Sequence, residues 1–123
     1  MNAAVKTARA AVGARFRLHG RDPASGLDCV GLAAWAHRVA IVPSGYALRS
    51  ADVDRTMMLI ARAGLRRVSR PKPGDLLLAR AGPGQLHLGI WTGTGVIHAD
   101  AMLRRVVERP GPPPWPIIGY WRR

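Results

Sequence analysis

The spacing of the apolar residues changes once along these 123 residues, and that change limits the fold more than any other feature of the chain. In the first half the apolar positions recur at helical spacing. Val5, Ala8 and Val12 mark a helix over 3–16, Val30, Ala33, Ala34 and His37 a second over 29–39, and Val53, Met57 and Ile60 a third ending near Arg62. The second half alternates instead. Leu86, Leu88 and Ile90 interleave with His87, Gly89 and Trp91, and short runs at 76–79, 96–99, 103–108 and 117–121 are further strands. Helices first and strands second predict an α+β fold, with N-terminal helices packed on one side of a C-terminal antiparallel β-sheet.

Local punctuation sharpens the boundaries. Residues 20–26 hold Asp22-Pro23 and Ser25-Gly26 and form a loop; Asp28 then caps the second helix, which ends before Pro43-Ser44-Gly45. Ser50 or Asp52 caps the third and Gly64 closes it. Residues 110–114, Pro-Gly-Pro-Pro-Pro, are a rigid connector between the last two strands. No repeat and no composition shift divides the chain, so residues 1–123 are expected to form one domain, long enough to bury a core without disulfides.

The formal charge of +12 implies an anionic partner or surface. Its Arg and Lys residues are scattered, with only pairs such as Arg66-Arg67 and Arg104-Arg105 and no aromatic-interleaved stripe, which argues against a nucleic-acid binder. Lys6, Arg9 and Arg15 interrupt the Ala-rich start, so it lacks a signal-peptide core, and no stretch is long enough to insert in a membrane. One cysteine excludes an internal disulfide, and no paired Cys or His motif has metal-ligand spacing; neither a metal nor a cofactor is expected.

That cysteine, Cys29, is the candidate nucleophile. A lone cysteine is most often a small buried hydrophobe. Flanking glycines, the Asp28 cap and the positive end of a helix point the other way, toward an accessible thiol with a depressed pKa, and toward free N–H groups able to hold an oxyanion. His87 is the candidate base and His98 its orienting partner. A turn centred on Thr92-Gly93 sets His87 directly opposite His98, whereas one centred on Thr94-Gly95 moves them four residues apart; the first register, or a bulged equivalent, is expected. The start of the Cys29 helix is expected against the sheet face that carries the histidines. His19 and His37 are a loop residue and a packed polar residue.

Four segments in order, Gly26-Leu27-Asp28-Cys29-Val30-Gly31-Leu32, Pro73-Gly74-Asp75-Leu76-Leu77, His87-Leu88-Gly89-Ile90-Trp91 and Ile97-His98-Ala99, resemble the successive motifs of the NlpC-type cell-wall cysteine peptidases, a papain-like family. The resemblance covers roughly 16–99. It implies hydrolysis of bacterial peptidoglycan stem peptides, typically between D-γ-glutamate and a diamino acid, with Cys29 as nucleophile, His87 as general base then acid, and His98 as third member. Substrate contacts are expected from Asp28, Val30, Phe16 and Trp91. The chain departs from the family pattern where Phe16 replaces an upstream Tyr and Val30 replaces a Ser after the nucleophile. Its compactness most resembles versions encoded with phage tails and gene transfer agents. Such a protein is made in the cytoplasm and carried to the periplasm or wall in a tail-like particle, with hub proteins as partners. The competing reading is a catalytically silent structural component of such a hub.

Overall fold

A computed structural model describes residues 2–40 and 52–123. Among the described residues three helices, α1 (Ala3–Ala10), α2 (Cys29–His37) and α3 (Val53–Arg62), are followed or interrupted by eight strands: β1 (Arg21–Asp22), β2 (Gly26–Leu27), β3 (Arg66–Val68), β4 (Leu76–Gly82), β5 (Gln85–Trp91), β6 (Gly95–Asp100), β7 (Arg105–Pro110) and β8 (Ile117–Arg122). The first two strands form a small hairpin inside the approach loop. The other six form one sheet in the order β3-β8-β4-β5-β6-β7, with every pairing antiparallel. The α+β layout read from the sequence is the one observed.

Each helix starts where its cap residue stands. Asn2 Oδ1 accepts from the N–H groups of Ala4 and Val5, Asp28 Oδ1 from Gly31, and Asp52 Oδ1 from Arg55. Ser50 and Pro43-Ser44-Gly45 lie outside the described residues. Arg38, in the left-handed conformation, ends α2, and Gly64, at φ +96°, follows the end of α3. Helix α1 stops well short of residue 16. Gly13 adopts φ +92°, and beyond it the chain pairs with the β6–β7 region: Gly13 donates to the Val106 carbonyl, Val106 to Ala14, and Phe16 to Arg104. These long-range main-chain bonds outweigh the local helix preference of 11–16.

The core is divided by the sheet. On the helix side, Leu76, Leu78, Leu86, Leu88, Ile90, Ile97, Ala99, Val106 and Trp121 pack with Ala8, Leu27, Cys29, Leu32 and Ile60. On the reverse side a smaller cluster holds Leu77, Ala79 and Val96, with Trp91, Trp115, Ile117 and Tyr120 against it. The Pro73-Gly74-Asp75 turn fastens the C-terminal strand to this sheet. Asp75, 1% exposed, takes a bidentate pair from Arg122 Nε and Nη2, each 2.8 Å long, and also accepts from the Lys72 N–H. Pro110 ends β7, an edge strand, where a residue without an N–H costs little.

Candidate active site

Cys29 is the first residue of α2 and is 9% exposed. Gly26 and Gly31 let the approach loop close over it. Gly26 sits at φ +120°, and a Cβ at Gly31 would collide with the Gly20 carbonyl, so glycine is required for the loop to lie on the helix start. Asp28 fixes the same loop. Beyond its cap bond to Gly31 it accepts from the His19 N–H at 2.7 Å and pairs with Arg21 Nη1 at 2.9 Å.

The thiol does not carry the depressed pKa expected from the helix start. Burial pushes it up to about 12, and Asp28 pushes in the same direction; main-chain hydrogen bonds with Leu88, Val30 and Cys29 itself oppose both. The helix end supplies only a partial charge, whereas removing a thiolate from water penalises the whole ion. In the resting protein Cys29 is a neutral thiol.

The histidines meet, by a different register from the one expected. Trp91 pairs with Val96 and Ile90 with Ile97, around a turn in which Thr92 donates to the Gly95 carbonyl. This register, continued, faces Gly89 to His98, so His87 is His98's diagonal neighbour and not its direct partner. Both keep the same face. A Cβ at Gly89 would stand 2.7 Å from Val96 Cγ2, so glycine suits the close packing beside the histidines, whose His87 Nε2 and His98 Nδ1 are 3.0 Å apart. That contact leaves Nδ1 of His87 for chemistry. Burial pushes His87 down to about 4, with the neighbouring His98 acting in the same direction and Asp100 against it. His98, 5% exposed, is lowered by burial and by Arg109, with Asp100 opposing.

Helix α2 does not lie on the histidine face. Because Leu86, Leu88 and Ile90 are buried against the helices, strand alternation turns His87 to the reverse side. Cys29 reaches the strand from the helix side, at the main chain of Leu88, one residue from His87. Among the described residues no hydrogen bond joins the two side chains.

The other site expectations divide. Trp91 shares the histidine face, half-buried against Leu77, Ala79 and Val96. Phe16 bridges to Leu27, two residues before the cysteine, and packs on the core. Val30 lines an apolar cavity of about 60 Å³ between α2, α3 and the sheet. The Asp28 carboxylate is engaged by the loop it holds. Among the described residues no group of three or more His, Cys, Asp or Glu could hold a metal ion, and no helix is long and apolar enough to cross a membrane.

The fold recurs in solved structures. Over 98% of its length the chain matches NlpC1 from Trichomonas vaginalis, at a TM-score of 0.69 and 22% identity, spanning 44% of that chain. It matches the peptidoglycan hydrolase RipB from Mycobacterium tuberculosis over 98% of its length, at 0.66 and 20%, spanning 62% of that chain. The NlpC/p60 domain of the peptidoglycan hydrolase SagA is matched over 89% of this chain and 90% of its own, at 0.57 and 26%. The fold is that of NlpC/p60 domains. The chain spans less than two thirds of NlpC1 and RipB. No family model and no curated protein matches the sequence.

Within this NlpC/p60 fold the sequence reading missed one residue at the site. Trp115, from the Pro-rich connector, sets its ring 4.9 Å from that of His87 and 4.8 Å from that of His98, both edge-to-face. A tryptophan placed between Pro114 and Pro116, where the backbone is stiff, was the available signal.

Proposed function

We propose that this chain is a cysteine peptidase that hydrolyses peptidoglycan stem peptides, at the bond between D-γ-glutamate and a diamino acid. The observation that carries the reading is the His87–His98 pair, 3.0 Å apart, on the strand against which the Cys29 helix packs in an NlpC/p60 fold. The names of SagA and RipB as peptidoglycan hydrolases support the substrate class.

In this mechanism His87 Nδ1 receives the Cys29 proton through a bridging water, since the two side chains lie on opposite faces of β5, as Sγ bonds to the scissile carbonyl carbon. The resting thiol is neutral and the resting imidazole is a weak base, so proton transfer accompanies attack and no thiolate–imidazolium pair is stored. His98 fixes the His87 ring through Nε2. Main-chain N–H groups at Cys29 and a neighbour hold the oxyanion. Collapse breaks the C–N bond, the leaving amine takes the proton back from His87, and water then cleaves the thioester, restoring the thiol. Phe16 and Val30, beside Cys29, and Trp91, beside the histidines, are the proposed substrate contacts; Asp28 contributes by holding the loop. Delivery to the wall by a tail-like particle, with hub proteins as partners, is the proposed setting, in keeping with the basic surface.

The raised thiol pKa and the missing Cys29–His87 hydrogen bond favour a second reading, a silent structural component of such a hub. Mass spectrometry of muropeptides after incubation with the wild type and Cys29→Ala separates them. New amino termini from the wild type alone support the peptidase; identical digests refute it.

A further inference from the structure

Trp115 has no part in the chemistry above, yet it touches both rings of the imidazole pair. The three rings are mutually edge-to-face: the imidazoles stand 5.1 Å apart at 89°, and the indole meets His87 at 77° and His98 at 85°. Its position is fixed by the chain around it. Prolines on both sides restrict the backbone, the Pro116 carbonyl accepts from Arg80 at 3.0 Å, and the indole packs on the cluster of Leu77, Ala79 and Val96. Trp115 is half-buried, with its indole against both imidazoles and part of it open to solvent on this face.

We infer that Trp115 is a positioning residue for the proposed reaction: its indole shields the His87–His98 hydrogen bond from water and locks His87 with Nε2 toward His98 and Nδ1 free. A hydrogen bond screened from water is stronger than an exposed one, and a ring flanked edge-on by two others cannot turn over without displacing them. If His87 turned, it would present the wrong nitrogen to the thiol. Among the described residues the charged groups that bear on the pair are Asp100 from β6 and Arg109 from β7, while β4 presents Ala79 opposite His87. The inference rests on the reading that Cys29 and His87 act together, and it assigns the connector between β7 and β8 a task beyond linking them.

Nitrogen-15 imidazole spectra in a Cys29→Ala background test it without relying on turnover. With Trp115 present, His87 is expected as a single tautomer, protonated at Nε2, with slow exchange of that proton. In Trp115→Ala a second tautomer and exchange faster by about tenfold or more are expected, together with a higher His87 titration midpoint. With Cys29 intact the same substitution lowers kcat by about tenfold with little change in KM, because orientation and not binding is lost. If Trp115→Ala does not fold, Trp115→Leu fills the space without a ring edge and is read by the same spectra. Wild-type tautomer and exchange in the folded variant overturn the inference. Absence of muropeptide products with wild-type protein overturns the functional reading instead, and the tautomer and exchange data distinguish that failure from loss of the ring lock.

Discussion

The two faces of strand β5 are built to different ends. Toward the helices, Leu86, Leu88 and Ile90 are 1%, 4% and 0% exposed and form part of a purely apolar layer. On the reverse, His87 and Trp91 flank Gly89, and His87 Nε2 meets His98 Nδ1. The helix-side face carries the larger apolar core, and the reverse face sets titratable groups beside a smaller apolar cluster. The strand joins them at a single peptide: the Cys29 sulfur contacts the main chain of Leu88, and the ring of the preceding residue is the proposed base. Stability and chemistry are therefore separable by substitution even though the residues alternate along one strand.

The largest effect is expected on the histidine side of the strand. His87→Ala should lower kcat/KM on stem peptides by roughly a thousandfold, within the span of general-base contributions, while moving the thermal midpoint by only a few degrees. A large loss of stability with activity intact would show that the imidazole pair is structural. From the helix side, Leu78→Ala removes a side chain that is 0% exposed and should destabilise the fold by about 2–5 kcal/mol in denaturant titrations, with kcat per folded molecule unchanged.

A smaller effect sharpens the contrast. Burial lowers His87 to about 4 and also lowers His37 and His98 below the ordinary value of 6.5. Below that value the unfolded chain binds more protons than the folded one, so unfolding becomes easier. The contribution of the neutral imidazoles is fully present above pH 6.5 and is lost as pH falls toward about 4. Denaturant midpoints across that window should fall with acid, and less steeply in His87→Gln; a flat profile would contradict the burial of the pair.

How much was legible in the sequence follows from how local each determinant is. The helix starts at Asp28 and Asp52 and the strands from Leu76 onward were legible, because caps and period-2 alternation act within a few residues. The end of α1 was not, since Gly13, Ala14 and Phe16 answer to Val106 and Arg104 across the fold. Strand β3, with Arg66 and Arg67 exposed at a sheet edge, has no apolar pattern to announce it. At the site, the shared face of His87 and His98 followed from alternation, and the place of Cys29 at a helix start followed from the Asp28 cap. Three features needed three dimensions. Desolvation of Cys29 outweighs its helix start, the hairpin register depended on which glycine- and threonine-containing turn closed it, and Trp115 reaches the imidazoles only because the Pro-rich connector folds back over the sheet.

In the proposed mechanism a resting neutral thiol on one side of β5 is activated, through water, by an imidazole on the other. Digestion of purified peptidoglycan, followed by mass spectrometry of the muropeptides, tests it most directly. New amino termini on the diamino acid are expected with the wild-type chain and none with Cys29→Ala. Stem peptides left intact by both, or cleaved equally by both, would contradict it.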